Sequence, residues 1–336
     1  MTGLLPLIGI LLALTTPTGK TPVQTGVLVE QKVTYLGAPN NIRMSNGIVE
    51  VILSTDFGPR ILRYAPVGSK PEDNVFGTVP GVTATTPLGE WWIRGGHRLW
   101  HAPEAKPRTY EPDNDPIAFE VMGNTVKLKQ AVEKTTHIQK EMWVTLDPKS
   151  SRVTVVHRLT NKGLFAVDMA CWGLSVMNTN GRGVFPQEPY RSHDDELLPA
   201  RPMVLWAYTN LKDPRWMFGS TLFTLTQDPN NKEAQKIGIL NKQGWAGYTR
   251  NGLLFLKRFR YEEGKTYPDY QSNMETFTND AILEIETLGS LERVQPEQTI
   301  THVEDWWLFQ KEIGDTEVTM NEALLPILKE TAAALK

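Results

Sequence analysis

Short runs of alternating apolar and polar residues, separated by glycine, proline and asparagine, dominate the chain and limit the folds open to it. Runs of this kind are typical of antiparallel strands joined by turns. They begin at Val27 with VLVEQKVTYL and NIRMSNGIVEVIL, and Asn46-Gly47 inside the second is a typical hairpin turn. Further along, TVKLKQAVEK, HIQKEMWVTLD, RVTVVHRLTN and AVDMACWGLSVM are spaced as in an antiparallel meander. The pattern predicts an all-β protein.

Strong helical periodicity occurs only at the end of the chain, from Met320 to Lys336, where leucines and isoleucine cluster around Pro326. The proline would either kink this helix or lie in its first turn. A chain of 336 residues could form two average domains, but all-β folds often exceed 200 residues as one unit. We therefore predict one large antiparallel β-sandwich over residues 26–312 and a short C-terminal helix within 313–336.

Charge and cysteine content exclude several classes of function. The net charge is −3, and lysines and arginines are scattered, so nucleic acid is not an expected partner. Cys171 is the single cysteine, which excludes an intrachain disulfide and a cysteine-based metal cluster. The chain has ten tryptophans and nine tyrosines. These aromatic side chains either fill a large β core or offer flat faces to sugar rings.

The first 25 residues contain an apolar block, LLPLIGILLAL, at positions 4–14. This block is too short for a stable membrane-spanning helix but has the length of a signal-peptide core. No basic residue precedes it and no Ala-x-Ala site follows, so a docked N-terminal segment is the alternative. We favour export to the periplasm or outside the cell, with no stable transmembrane anchor.

Residues 281–309 contain two apolar runs joined by a connection from Gly289 to Gln298 that is rich in turn-forming residues. In the first run alternation places Ile282, Glu284, Glu286 and Leu288 on one strand face. The two carboxylates would then lie about 7 Å apart. Paired charges within an apolar strand predict a binding face.

This end of the chain resembles the C-terminal part of aldose 1-epimerases and the wider galactose mutarotase-like group. The matching residues are Glu286-Thr287, Gln295-Pro296-Glu297 and Thr301-His302, followed by Trp306-Trp307. The resemblance in β-rich layout covers roughly residues 27–310 and is closest to an exported bacterial branch. It implies a mutarotase-like supersandwich, a carbohydrate ligand, no cofactor, and the role of general base for Glu286.

Residues 71–116 are rich in proline, glycine and threonine and predict a long irregular loop that contains GEWWIRGGHRLWHAPE. Long loops inside a compact domain are usually functional or disordered, and the tryptophan, arginine and histidine content here argues against disorder. Half of the site is therefore expected in this loop. Its polar groups are Arg94, His97, Arg98 and His101, and its stacking candidates are Trp91, Trp92 and Trp100.

Mutarotation needs a base for the anomeric hydroxyl and an acid for the ring oxygen. The resemblance implies an acid histidine about ten residues after a Thr-Asn turn, but counting from Thr160-Asn161 leads to Cys171-Trp172-Gly173. An indole cannot act as an acid near neutral pH, although Trp172 could pack on a sugar ring. The acid would then be His97, His101 or His193, each from a loop.

Two other constellations have alternative interpretations. His97, His101 and Glu104 have metal-ligand spacing on a helix, but Gly95-Gly96 and Pro103 disfavour a helix, so no metal is predicted. His193-Asp194-Asp195-Glu196 could be an acid–base cluster, yet such runs are more often a solvated loop.

Glu275 either lines the same cleft as Glu286 or caps a turn. Carboxylate pairs for glycoside hydrolysis could come from Glu275, Glu284, Glu286 and Asp194, which makes hydrolysis a minor hypothesis.

The sequence thus favours a carbohydrate-binding protein with aldose 1-epimerase-like isomerisation. The alternatives are a non-catalytic glycan-binding module and, less favoured, a polysaccharide-degrading enzyme. The predicted catalytic residues are Glu286, His97 and His101. The predicted substrate-binding residues are Arg94, Arg98, Trp100, Trp172, His193, Glu275 and Glu284.

Overall fold

The computed structural model describes residues 26–335, and the predicted signal segment, residues 1–25, lies outside them. No helix in this part of the chain is long and apolar enough to cross a membrane. The strands, in chain order, are β1 (Leu28–Tyr35), β2 (Ala38–Ser45), β3 (Val49–Ser54), β4 (Arg60–Pro66), β5 (Thr78–Val79), β6 (Ala84–Thr86), β7 (Gly89–Trp91), β8 (Arg94–Ala102), β9 (Ala118–Met122), β10 (Thr125–Lys129), β11 (Ile138–Leu146), β12 (Val153–Asn161), β13 (Val167–Met177), β14 (Arg182–Pro186), β15 (Met203–Leu205), β16 (Trp216–Phe218), β17 (Leu222–Thr226), β18 (Gln235–Ile239), β19 (Trp245–Arg250), β20 (Leu253–Phe259), β21 (Met274–Thr278), β22 (Leu283–Leu288), β23 (Glu292–Val294) and β24 (Thr299–Gln310). The helices are α1 (Pro268–Gln271) and α2 (Glu317–Ala333).

These strands form two large antiparallel sheets, which confirms the predicted all-β fold. In the first sheet ten strands lie side by side in the order β1-β2-β3-β4-β8-β13-β22-β21-β18-β15, and β5 and β23 extend it. The second sheet has the order β16-β17-β14-β19-β20-β24-β12-β11-β10-β9. β6 and β7 form a separate hairpin.

The main hydrophobic core lies between the inner faces of the two sheets. It draws on both of them, with members such as Val51 and Leu53 from the first and Val144 and Phe255 from the second. Trp306 of β24 is fully buried at its centre, 5.5 Å from the Phe76 ring centroid. Interdigitation of two inner sheet faces is how a β-sandwich buries its apolar side chains.

Helix α2 covers the outer face of the second sheet. Met320, Leu324 and Ile327 recur at helical spacing and pack on Trp245 and neighbouring apolar residues. Thr316 caps the first turn by accepting a hydrogen bond from the Thr319 N–H. The predicted C-terminal helix is confirmed, although it begins three residues before the predicted start and holds Pro326 in its interior.

Three predictions of local structure were wrong. Residues 94–102 are not an irregular loop: they form β8, a strand at the middle of the first sheet. Residues 178–201, for which the sequence also predicts an irregular block, contain a strand, β14. The meander ends at β12, because β13 belongs to the other sheet.

The prediction missed β8 because Gly95 and Gly96 are typical of a loop. Gly95 and Gly96 both have positive φ, and a Cβ at Gly95 would lie 2.0 Å from the Gly77 carbonyl oxygen. The two glycines therefore permit a close strand approach that no side chain would allow. The buried guanidinium of Arg60 then holds the entry to β8 by donating to the carbonyl oxygens of Ile93 and Trp92.

Candidate functional site

A row of side chains crosses the outer face of the first sheet. Arg98 of β8 lies opposite Leu174 of β13, Leu174 opposite Glu286 of β22, and Glu286 opposite Glu275 of β21. Residues directly opposite each other in adjacent strands project from the same face. The strands therefore bring three of the predicted site residues, Arg98, Glu286 and Glu275, into one line.

Lys236 of β18 joins the two carboxylates of this row. Its Nζ lies 2.7 Å from Glu275 Oε2 and 3.0 Å from Glu286 Oε2. Glu275 and Glu286 are fully buried, and Lys236 is 5% exposed. This Glu275–Lys236–Glu286 group, called the carboxylate–lysine triad below, is the main concentration of charge on the outer face.

Aromatic rings enclose the triad. The Trp172 Nε1–H donates to Glu286 Oε2 at 3.0 Å. Lys236 Nζ lies 5.0 Å from the Trp172 ring centroid and 4.7 Å from that of Trp206. A cation between two indole faces is attracted by both ring quadrupoles.

Burial and charge together set the protonation states of the triad. Burial raises the pKa of Glu275 well above its usual value, because the charged form loses hydration there. Burial also raises the pKa of Glu286, less strongly. Although burial alone would lower the pKa of Lys236, attraction to Glu275 and Glu286 raises it, so the ammonium stays charged.

Several carboxylate oxygens of the triad accept no hydrogen bond from the described residues. They are Glu286 Oε1 and both oxygens of Glu275. Lys236 approaches Glu275 Oε2 closely, but not along a hydrogen-bond direction, and its hydrogen bond goes to Glu286. Buried polar atoms are normally satisfied, so these oxygens are positioned to accept from water or from ligand hydroxyl groups.

Arg98, Glu284 and Trp100 form the adjoining part of the outer face. Arg98 Nη1 donates to Glu284 Oε1 at 2.9 Å, and its guanidinium lies 4.4 Å from the Trp100 ring centroid. Trp100 packs in turn on Trp172, with ring centroids 5.4 Å apart. The structure thus brings together six of the predicted site residues: Arg98, Trp100, Trp172, Glu275, Glu284 and Glu286.

His97 and His101, predicted as partners of Glu286, are not on this face. In β8 they alternate with Arg98 and Trp100, so both project inward, and both are completely buried. His101 Nε2 lies 3.6 Å from Glu133 Oε2, and Lys140 pairs with the same carboxylate. The prediction assumed that both histidines lie on a loop and face Glu286. Because residues 94–102 form a strand, both histidines face the core instead.

His97 belongs to a second polar network between the sheets. His157 Nδ1 must donate to the His302 carbonyl oxygen, 3.1 Å away, because a carbonyl only accepts. Its Nε2 therefore accepts from His97 Nε2–H at 2.7 Å. His97 Nδ1 in turn accepts from the Ser175 hydroxyl at 2.8 Å.

Glu304 anchors the other half of this inner network. It accepts from Lys257 Nζ at 3.0 Å and from Trp306 Nε1 at 2.7 Å, and Thr287 donates to it as well. His302 Nε2 donates to Thr287 at 2.8 Å. Contact with Lys257 overcomes the effect of burial and lowers the pKa of Glu304.

A cation does not fit this inner network, although ligand atoms of His97, His157 and Glu304 lie within 4.8 Å of one another. The hydrogen bonds described above use the Nε2 atoms of both imidazoles and both carboxylate oxygens. The Lys257 ammonium already supplies the positive charge. The inner network is therefore a hydrogen-bonded ion pair that leaves no ligand atom of these three residues free for a metal ion.

Arg94 and His193 also lie apart from the triad. Arg94 donates to Asn114 and covers the Phe57 ring at 4.1 Å. The His193 side chain is 87% exposed and lies beside Asp194. The exposure of His193 fits the solvated-loop interpretation of residues 193–196.

Lys236 and Trp206 were not among the predicted site residues. A signal for Lys236 was present in the run KIGILNK, which has the same alternating pattern: Lys236 lies on the strand face opposite Ile237 and Ile239. Trp206 follows the short strand β15, and no sequence pattern connects it to Lys236.

Comparison with known proteins agrees with the sheet topology. Neither a family model nor a curated protein sequence matches the chain. A galactose mutarotase-like protein from Lactobacillus casei superposes with a TM-score of 0.50 over 80% of this chain and 100% of its own, at 10% identity. A galactose mutarotase-like protein from Clostridium acetobutylicum gives 0.50 over 84% and 99%, also at 10% identity.

The fold is galactose mutarotase-like. A TPR-domain containing protein from Parabacteroides distasonis shares this mutarotase-like fold, with a TM-score of 0.51 and 14% identity over 82% of this chain. Our chain spans about half of that protein, 48% of its length. At these identities the likeness concerns the mutarotase-like fold alone.

Proposed function

We propose that the outer face of the first sheet binds a carbohydrate and that Glu286 is the general base of an aldose 1-epimerase-type isomerisation. The observation that carries this proposal is the asymmetry of the Glu286 carboxylate. Oε2 is held by Lys236 and Trp172, whereas Oε1 is buried and accepts from no described residue. A positioned carboxylate with one free oxygen is suited to take a proton from a sugar hydroxyl.

The surroundings of Glu286 support a sugar as the ligand. The rings of Trp100 and Trp172 and the carboxylates of Glu275 and Glu284 surround Glu286 on this face, each at most 7% exposed, so a sugar would meet them only in an opened form of the face. Sugars combine apolar ring faces with many hydroxyl donors, so flat aromatic groups beside carboxylates match their chemistry. The mutarotase-like fold of the chain agrees with this ligand class.

A non-catalytic glycan-binding module is the second candidate. One observation favours it: among residues 26–335, none of the histidines that the sequence analysis proposed as the acid reaches the Glu286 face. His97 points into the core, His101 pairs with Glu133, and His193 lies on an exposed loop. A module of this kind would bind sugar without changing the rate of anomer exchange.

The test is NMR of anomer interconversion on freshly dissolved α-glucose and α-galactose. We expect acceleration by the wild-type protein and a loss of about 10²- to 10⁴-fold in Glu286→Gln, because the base is removed. Glu263→Gln is the matched control, since Glu263 is exposed.

Absence of wild-type acceleration on these sugars would make the epimerase proposal wrong. Retained glycan binding that Glu286→Gln weakens would then support the binding module. Loss of both activity and binding across a panel of glycans would reject carbohydrate as the ligand.

A further inference from the structure

We propose that Glu275 is the general acid of this site and that it works opposite Glu286 as a carboxylic acid–carboxylate pair. The inference rests on the proposed isomerisation and supplies its missing proton donor. His97, His157 and His302 lie in the inner network, His101 pairs with Glu133 and His193 is exposed, so we look for the donor among the other titratable groups of the outer face. Glu275 is the titratable group directly opposite Glu286.

Register and distance place the two carboxyl groups together. Glu275 and Glu286 are a cross-strand pair of β21 and β22, and both approach one ammonium, that of Lys236, within 3.0 Å. Gly238, opposite Glu275 on the next strand, has no side chain, and a Cβ there would lie 2.4 Å from Ser272 Oγ. Glu275 therefore faces a neighbouring strand, β18, that carries the lysine and, two residues further on, a glycine.

The hydrogen bonds assign the two roles. Glu286 Oε2 accepts from Lys236 and from Trp172, and such donors stabilise an ionised carboxylate. Neither Glu275 oxygen accepts a hydrogen bond from the described residues. Lys236 Nζ lies 2.7 Å from Glu275 Oε2, but Glu275 has no second donor like the Trp172 N–H on Glu286, so the shared proton is assigned to Glu275.

Charge balance points the same way. Two ionised carboxylates and one ammonium would leave one net negative charge in a buried group. Burying an unbalanced charge is costly, and uptake of one proton makes the group neutral. The raised pKa of Glu275 agrees with this protonation state. Pairs of carboxyl groups whose surroundings separate their proton affinities are a recurring source of an acid and a base.

The reaction balances with these two groups alone. Glu286 takes the proton of the anomeric hydroxyl as the bond between the anomeric carbon and the ring oxygen breaks. The electron pair of that bond goes to the ring oxygen, which takes the proton of Glu275, and an open-chain aldehyde forms. After rotation about the bond between carbons 1 and 2, Glu275 recovers the ring-oxygen proton and Glu286 returns its proton, which restores both groups.

The first test measures protonation directly and does not depend on activity. Carboxyl-carbon NMR of glutamate-labelled protein should show one protonated carboxyl at pH 7 in the wild type and none in Glu275→Gln or Glu286→Gln, because either substitution leaves one carboxylate to balance the Lys236 ammonium. Titration of the Glu275 carboxyl at the ordinary value for glutamate would overturn the proposal. A folded Glu275→Gln protein is expected, since glutamine has the shape and charge of a protonated glutamate, and a melting curve checks this.

The second test is the anomer-exchange assay with Glu275→Gln. We expect a rate loss of about 10²-fold or more, with sugar affinity retained, because the donor proton is lost while the pocket keeps its shape. Full activity of Glu275→Gln in a protein that Glu286→Gln inactivates would overturn Glu275 as the acid and leave the proposed function intact. An inactive wild-type protein would overturn both.

Discussion

At the scale of single residues, the molecule holds two groups of buried charge with opposite responses to pH. In the inner network burial lowers the pKa of His302 to about 3 and lowers that of His97 well below its ordinary value. In the carboxylate–lysine triad burial raises the pKa of Glu275 and Glu286. Protons are therefore disfavoured between the sheets and favoured on the outer face.

We expect the contribution of the inner-network histidines to the free energy of unfolding to fall as pH decreases from about 6.5 to 3, against the opposite contribution of Glu275 and Glu286. His302 has a lower pKa in the folded state than in the unfolded chain, so the unfolded chain binds more protons in this window and acid favours it. Each such histidine contributes up to about 1.4 kcal/mol per pH unit. Denaturant titrations at several pH values measure this slope.

The variant His302→Gln isolates one of these groups. Its stability should depend less steeply on pH than that of the wild type, whatever its stability at neutral pH. His137→Gln, at an exposed position, is the control and should keep the wild-type slope. An equal slope in His302→Gln and wild type would contradict the assignment of a neutral, buried His302.

At the scale of elements, alternation along a strand was predictable and pairing between strands was not. The sequence predicted that Glu284 and Glu286 share a face of β22, and the sheet confirms it. Lys236 is about fifty residues away in sequence, and its contact with Glu286 depends on two intervening strand registers. Such long-range registers are set by packing of the whole sheet.

The inward direction of His97 was equally beyond the sequence. Two glycines with positive φ begin β8, and glycine-rich segments usually indicate loops. Once β8 is a strand, alternation decides the rest: Arg98 faces the triad and His97 faces the core. The sequence thus predicted which residues gather on the outer face, but not which of them could work with Glu286 as an acid.

Helix α2 offers a prediction at the element scale. Leu324 is 1% exposed and packs on the second sheet, whereas its neighbour Leu325 is 54% exposed. We expect Leu324→Ala to lower the free energy of unfolding by about 2–5 kcal/mol, because it leaves a cavity. Leu325→Ala should change it by less than about 0.5 kcal/mol. Equal effects in chemical denaturation would mean that the helix does not pack as described.

At the scale of the whole molecule, the core between the sheets is closed to solvent. Cys171 projects into it from β13 and is 1% exposed. Burial raises the pKa of its thiol to about 12, so very little reactive thiolate forms at neutral pH. The single thiol therefore reports on separation of the two sheets.

We expect Cys171 to react with a thiol reagent only when the sandwich opens. Its labelling rate should rise with denaturant in parallel with the loss of tryptophan fluorescence. A free thiol in unfolded protein, labelled under the same denaturant, sets the maximum rate. Rapid labelling of the native protein would contradict burial of this side chain between the sheets.

Strand β22 carries adjacent members of both charged groups, Glu286 outward and Thr287 inward. Adding or deleting one residue in this strand would exchange the two faces and disrupt both groups at once. Natural length variation in related chains should therefore be excluded from β22 and its neighbours and confined to the turns. Its side chains can change one at a time, but the length of the strand is fixed by two separate requirements.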